Sequence, residues 1–99
     1  GVVVVEEGAS VHGGRLIGPV FVGRDCDVMG SPPGPDVSLE PGCVVRDSVV
    51  RDSILMAGVT VDGVDALTGS ILGRGAHVRH GGGGGHRLIV GDQSVVEVD

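Results

Sequence analysis

Aliphatic residues recur about every 17 positions along this 99-residue chain, in three columns. The first column contains Val5, Val22, Leu39, Leu55 and Leu72, at spacings of 17, 17, 16 and 17 residues. The second column has the same spacings and contains Val11, Val28, Val45, Val61 and Val78. The third contains Ile17, Pro33, Val50 and Leu67. A long regular repeat is typical of solenoids, and three columns per repeat predict a coil with three flat sides.

The residues four positions after two of the columns favour the same interpretation. After the first column they are small or β-branched: Ala9, Cys26, Cys43, Val59 and Ala76. After the third they are bulky and apolar: Phe21, Val37, Ile54 and Ile71. Neither a helical period nor the alternation of a two-faced strand produces columns of matched size. Stacked coils do, because residues one repeat apart lie above each other at about 4.8 Å. An antiparallel sandwich is the alternative fold.

Two hexads, Leu39–Val44 and Leu72–His77, fit the hexapeptide pattern, in which an aliphatic residue is followed by a small residue in fifth place. We expect the aliphatic residue to point into the prism and the small residue to lie at a sharp corner. Turn-forming pairs stand at the expected bends, namely Gly18-Pro19, Gly34-Pro35, Asp52-Ser53 and Gly69-Ser70. The positions four after the second column are irregular and predict an open or looped corner: Arg15, Pro32, Val49, Asp65 and Gly82.

The predicted fold is all-β, a single-stranded, left-handed parallel β-helix of about five coils over residues 1–80. Residues 81–87 contain a run of five glycines and are predicted to form a flexible loop. Residues 88–99 are predicted to return as a capping strand. The glycine run lacks the Lys, the Ser or Thr and the following helix of a phosphate-binding loop. Because Val2–Val5 has the pattern of an exposed strand edge, we expect a preceding domain of a longer polypeptide to cover it.

Charge and composition narrow the possible partners. The net charge is −6, no Lys/Arg cluster occurs, and Phe21 is the only aromatic residue. These properties argue against nucleic acid and against an anionic membrane as partners. No apolar run approaches the ~20 residues of a membrane span. Two cysteines do not make a disulfide scaffold, so we expect a cytoplasmic location.

Several segments resemble one enzyme family. They are Ile17–Gly23, the bends at Arg46–Ser48 and Arg51–Ile54, the run Ser70–Arg74, and the closing segment Arg87–Val98. Together they resemble the C-terminal β-helix of long-type glucose-1-phosphate thymidylyltransferases, and the resemblance covers essentially the whole chain. It implies a parent enzyme that converts glucose 1-phosphate and dTTP to dTDP-glucose and pyrophosphate with Mg²⁺.

In that family the chemistry belongs to an N-terminal nucleotidyltransferase domain, whose Gly-x-Gly-Thr-Arg motif does not occur in this chain. The resemblance therefore implies an accessory role for this segment: contact with that domain and assembly of a homo-oligomer. It implies no catalytic, cofactor-binding or metal-binding residue here, and no cofactor beyond the Mg²⁺ of the parent enzyme. Because the absent domain selects the nucleotide base, uridylyl transfer is also compatible with the sequence.

The four histidines are candidates because hexapeptide acyltransferases use a histidine as general base. His12 and His80 fall four coils apart, about 19 Å at strand spacing, which is too far to share a metal. His86 follows the glycine run. We favour a solvent-exposed histidine for each of the four; His77 is the strongest catalytic candidate among them because it ends a well-formed hexad.

Cys26 and Cys43 lie one coil apart in one column, close enough for a disulfide or for two thiols that fill a corner. In a reducing cytoplasm we favour the thiols. The acidic groups fit a solvated face and lack the spacing of a calcium loop; they are Glu6-Glu7, Asp25-Asp27, Asp62-Asp65 and Glu97-Asp99.

Two alternatives to the accessory module stand. One is a hexapeptide acyltransferase that transfers an acetyl group from acetyl-CoA to an amino-sugar phosphate. The other is a purely structural oligomerisation module.

Overall fold

The computed structural model describes residues 2–30, 32–64 and 66–79, together with three short strands nearer the C-terminus. All regular structure in these residues is β-strand. The strands are β1 (Val3–Val5), β2 (Ser10–Val11), β3 (Val20–Val22), β4 (Asp27–Met29), β5 (Val37–Leu39), β6 (Val44–Arg46), β7 (Val50–Arg51), β8 (Ser53–Leu55), β9 (Thr60–Asp62), β10 (Ala66–Thr68), β11 (Ile71–Leu72), β12 (His77–Arg79), β13 (Gly85–His86), β14 (Ile89–Val90) and β15 (Val95–Glu97).

The strands form three parallel sheets that make the sides of a solenoid of about four turns. Sheet A has the order β1-β3-β5-β8-β11-β14, sheet B has the order β15-β12-β9-β6-β4-β2, and sheet C has the order β13-β10-β7. Successive strands along the chain therefore belong to different sheets, and strands one coil apart pair within the same sheet. The prediction of an all-β parallel β-helix is confirmed, while its left-handedness stays a prediction.

Strand pairing confirms the first two aliphatic columns. In sheet A, Val5 pairs with Val22, Val22 with Leu39, and the register continues through Leu55 to Leu72. In sheet B, the second column is continuous from Val11 to Val78, and Val78 pairs onward with Val96. The inner members of both columns have no exposed surface: Val22, Leu39, Leu55, Leu72, Val28, Val45, Val61 and Val78. The core therefore runs along the prism axis as stacked aliphatic residues.

The third side is irregular in the first two coils, and one predicted column member is wrong there. Val50 and Leu67 pair as predicted, but Ile17 is 62% exposed while its neighbour Leu16 packs against the core. Residues 12–19 contain no strand, so no ladder fixes the inward and outward alternation at that point. One residue of slip is enough to exchange the buried and exposed positions.

The corners use residues that tolerate a left-handed backbone or form local hydrogen bonds. Asp47 and Asp52 have φ values of +50°, which Asp tolerates better than most residues. Each is followed by a buried serine, Ser48 or Ser53, whose hydroxyl donates to the carbonyl two residues earlier at 2.8 Å. The Ser48 hydroxyl also accepts the Val64 N–H of the next coil at 2.9 Å. The two Arg-Asp-Ser bends thus satisfy buried backbone groups that sheet pairing does not reach.

Part of the predicted flexible loop forms a strand. Gly85–His86 pairs in parallel with β10, so that Leu67 is opposite His86. The open edge of β10 offers backbone donors and acceptors that a strand can satisfy. In the predicted capping segment, β14 pairs with β11 and β15 with β12. The rest of residues 80–99, with most of the glycine run and His80, lies outside the described residues.

Candidate functional site

The histidines that the structure describes do not come together. His12 follows β2 and His77 opens β12, and both are exposed on the side of sheet B. Four strand spacings, about 19 Å, separate their levels along the prism. His77 lies between Thr60 and Val95 in the ladder, beside a shallow depression of about 250 Å³ lined by His77, Arg79 and Val95. Thr60 and Val95 carry no carboxylate that could orient the ring of His77 as a general base.

Metal-ligating side chains are likewise dispersed. Over residues 2–30, 32–64 and 66–79, no three His, Cys, Asp or Glu side chains are grouped closely enough to hold a metal ion. Asp65, a member of one acidic group in the sequence, lies outside the described residues. The part of the chain that the structure describes also contains no helix of the length and apolarity needed to cross a bilayer.

Cys26 and Cys43 are buried free thiols on adjacent coils. Each Sγ donates to a backbone carbonyl: Cys26 to Glu40 at 3.2 Å and Cys43 to Met56 at 3.1 Å. A hydrogen bond with Cys43 lowers the pKa of Cys26 to about 7, against the effect of burial. The same contact, reinforced by burial, raises the pKa of Cys43 well above its usual range. Neither thiol is accessible to solvent, as expected for corner-filling residues.

The N-terminal coil leaves one end of the core open. Val3 and Val5 are 42% and 45% exposed, although their ladder partners Val20 and Val22 are 3% and 0% exposed. β1 is also the terminal strand of sheet A, so one edge of its backbone has no strand partner in that sheet. The inward-facing valines form an apolar surface at this end, bordered by the polar backbone edge of β1, and the predicted exposure of Val2–Val5 is confirmed.

A second apolar surface runs along the outside of sheet A. Its outward positions are in register from rung to rung: Val4, Phe21, Ser38, Ile54 and Ile71. Val4, Ile54 and Ile71 are 41%, 45% and 45% exposed. A depression of about 410 Å³ opens here, lined among others by Val4, Phe21, Ser38 and Ile54. We refer to these five outward residues as the apolar ladder.

Sheet B has a different outer face. Its outward positions include Asp27, Arg46, Asp62 and Arg79, and Arg46, Asp62 and Arg79 alternate in charge along one register. Met29 and Val95 are exposed apolar residues on this face, 46% and 62% exposed. A charged and polar outer face is usual for a solvated strand. The apolar ladder therefore distinguishes sheet A from sheet B.

The sequence columns contained the ladder without separating it from the core. Phe21, Val37, Ile54 and Ile71 formed one apolar column in the sequence, but the structure turns only Val37 inward. The sequence signal that the isoleucines face outward was the Ser-Ile-Leu unit, which occurs around Ile54 and around Ile71. In both units the serine and the leucine are buried. Alternation along a strand then directs the isoleucines to solvent.

Comparison with known proteins gives a consistent result. The chain is 39% identical over 100 residues to glucose-1-phosphate thymidylyltransferase of Streptomyces griseus, and 35% identical over 100 residues to the enzyme of the same name from Streptomyces antibioticus. Each alignment covers 99% of this chain and 28% of the relative. The chain is homologous to the C-terminal part of glucose-1-phosphate thymidylyltransferases. It spans only about a quarter of the length of these thymidylyltransferases. No protein-family model matches the chain, and no solved structure matches it.

Proposed function

We propose that this chain is the C-terminal accessory and assembly module of a nucleotidyltransferase that forms dTDP-glucose and pyrophosphate from glucose 1-phosphate and dTTP. The observation that carries the proposal is the alignment of 99% of the chain with 28% of each thymidylyltransferase relative. That match places the greater part of each relative outside the homologous region. The proposal assigns the transfer chemistry to the corresponding part of the parent polypeptide.

The open N-terminal coil supports a contact with that part of the polypeptide. Val3 and Val5 belong to inward ladders but retain 42% and 45% exposure. Covering them removes apolar surface from water at roughly 25 cal/mol per Å² and protects a strand edge from pairing with other molecules. The proposed partner at this end is the parent's own nucleotidyltransferase domain.

The proposed reaction uses Mg²⁺, and nothing among the described residues supports placing the ion on this chain. The described residues provide no group of three metal-ligating side chains, and Mg²⁺ favours carboxylates together with substrate phosphates. We therefore place the ion with the nucleotidyltransferase domain, and no step of the reaction is assigned to residues of this chain. Their role is to bind and to position the domain that performs the chemistry.

The test uses the full-length polypeptide that carries this chain. Purified enzyme supplied with glucose 1-phosphate, dTTP and Mg²⁺ should release pyrophosphate. Val5→Asp should lower the temperature at which half of this activity is lost, because it places a charge in the covered apolar end. Met29→Asp is the matched control, since Met29 is 46% exposed and Val5 45% exposed, but Met29 lies on sheet B.

Absence of pyrophosphate release with dTTP, and with UTP in a parallel reaction, would contradict the parent activity. Equal thermal inactivation of the two variants would contradict docking at the open end. Release of free CoA from acetyl-CoA with glucosamine 1-phosphate, abolished by His77→Ala, would instead favour the acyltransferase alternative.

A further inference from the structure

We infer that the outer face of sheet A holds an amphipathic helix formed by the segment of the parent polypeptide that leads into Val2. The inference rests on the proposed function, because it requires the parent polypeptide, and it deepens that function by naming one segment and its binding groove. The groove is distinct from the open N-terminal coil, whose exposed valines, Val3 and Val5, face the prism axis.

The outer face of sheet A carries one continuous groove. Two depressions meet there, since both are lined by Asp36, Ser53 and Ile54. The first, of about 410 Å³, begins at Val2. The second, of about 370 Å³, extends to Ile71. We refer to the two depressions together as the sheet A groove.

The floor of the sheet A groove is apolar. In β8, Ser53 and Leu55 are 2% and 0% exposed, whereas Ile54 between them is 45% exposed. A solvated strand carries polar residues at its outward positions, but four of the five residues of the apolar ladder are apolar. An apolar occupant of the groove therefore removes this floor from water.

The point at which the polypeptide enters selects the occupant. Val2, Pro19 and Asp36 occupy equivalent positions on successive coils, because each carbonyl accepts an N–H of the next coil. All three line the first depression. The chain is homologous to the C-terminal part of its relatives, so in the proposed parent the preceding polypeptide is connected ahead of Val2. A segment that turns back along the prism at this point lies directly over the sheet A groove.

The area of the groove favours a tethered occupant over a separate molecule. The apolar ladder is about 19 Å long and about 10 Å wide, or about 200 Å², which is far below the ~800 Å² per partner of a standard interface. A covalently connected segment needs less area, because its effective concentration at the groove is on the order of millimolar. The net charge of −6 also opposes the approach of a second copy.

The direction of the groove favours a helix. The groove runs from rung to rung, across the strands of sheet A, so a backbone that lies along it cannot pair with those strands. An extended backbone on the apolar floor would leave buried polar groups unpaired, whereas a helix satisfies its own. About 13 residues, at a helical rise of about 1.5 Å each, span the ~19 Å from Val4 to Ile71.

Two carboxylates define the chemistry of the helix. Asp36 and Asp52 are exposed at the corners of adjacent coils, and both line the second depression. The apolar ladder beside them carries no charge. The helix should therefore place apolar residues at spacings of three and four against the ladder, with Lys or Arg on the flank that faces Asp36 and Asp52.

Photocrosslinking of the full-length polypeptide identifies the occupant. Phe21→benzoylphenylalanine exchanges one aromatic ladder residue for another, so the groove keeps its apolar floor. We expect a crosslink within one polypeptide, to a peptide that lies within about 25 residues before Val2, from the helix and a short connection. Met29→benzoylphenylalanine is the matched control on sheet B and should give no crosslink to that peptide.

Limited proteolysis of the full-length polypeptide is the second measurement. Ile54→Lys removes an apolar residue from the groove floor and places a positive charge opposite the basic flank of the helix. Proteinase K should cleave the segment before Val2 at least about tenfold faster in this variant, because cleavage follows the population of the undocked form. Met29→Lys makes the same change in net charge and should leave the rate within about twofold of the wild type. Far-UV circular dichroism checks that both variants are folded.

Several outcomes would overturn the inference. They are a crosslink from position 21 to a second copy, a crosslink to a part of the polypeptide remote from Val2, and no crosslink from position 21. Equal cleavage rates for Ile54→Lys and Met29→Lys would overturn it as well. None of these outcomes depends on pyrophosphate release, whose absence would overturn the proposed activity and not the docked helix.

Discussion

Truncation of two neighbouring residues, Leu55 and Ile54, tests which side chains form the core. Leu55 has no exposed surface and is stacked between Leu39 and Leu72. The backbone ladders hold these rungs about 4.8 Å apart, so the coil cannot close around the space left by Leu55→Ala. We expect this variant to lose about 3–4 kcal/mol of unfolding free energy, in the middle of the range for buried Leu→Ala changes. Ile54→Ala removes three carbons from a side chain that is 45% exposed, and should cost about 1 kcal/mol.

Urea unfolding followed by far-UV circular dichroism measures both losses. The protein should be dilute, so that self-association contributes to neither value. The m-value should be the same in both variants, because the surface exposed on unfolding hardly changes. Equal losses for the two variants, or a larger loss for Ile54→Ala, would refute the assignment of inward and outward positions in β8.

Three further predictions concern the corners. Ser48→Ala should cost about 1–3 kcal/mol in the same unfolding assay, because it leaves the buried Val64 N–H without its acceptor; a loss below 0.5 kcal/mol, on the order of experimental error, would contradict this. Asp52→Gly should change stability by less than about 1 kcal/mol, whereas Asp52→Val should lose about 1–2 kcal/mol, since Asp52 has a φ of +50°. Equal effects of Gly and Val would show that this backbone conformation is not imposed. Above an unfolded-state pKa of 9.0, the free energy of unfolding should fall as the pH rises, because Cys43 keeps its proton in the folded state and loses it on unfolding. Between about pH 7 and 9 the free energy of unfolding should instead rise with pH, because the pKa of Cys26 is lowered in the folded state. A pH profile of stability that is unchanged by Cys43→Val would refute both effects.

The regular part of the fold was predictable because its constraint is periodic. Each residue of the first two columns packs against the residue one coil away, so matched sizes recur along the sequence. The small fifth-place residues, Cys43 and Ala76, were predictable for the same reason, and both are fully buried. Turn chemistry identified the bends at Asp52 and Gly69, which have φ values of +50° and +60°.

The structure differs from the sequence-based predictions where the first two columns do not constrain the chain. Ile17 was placed in the core, but the first two coils have no strand on that side, and Leu16 packs against the core in its place. Gly85–His86 was placed in a loop, yet a strand edge at β10 is available to pair with it. Composition cannot reveal either outcome, because both depend on the backbone of a different coil.

The candidate surfaces were only partly predictable. The exposed edge at Val2–Val5 followed from its position in the terminal coil, which stacks on a neighbouring coil from one side. The apolar ladder did not, because apolar residues facing inward and outward on the same side of a solenoid recur with the same period. The burial of Ser53 and Ser70 is what distinguishes the outward-facing isoleucines from inward-facing residues. A buried serine requires hydrogen-bond partners, and the sequence does not show them.

Distances between consecutive coils in solution test the central claim most directly. In the isotopically labelled chain, nuclear Overhauser effects should connect the backbone around Val28 with that around Val45, and Val45 with Val61, in parallel register. Such contacts exist only if residues 16 or 17 positions apart lie on adjacent rungs. Antiparallel contacts, or none between these valines, would contradict the stacked-coil fold and the surfaces built on it.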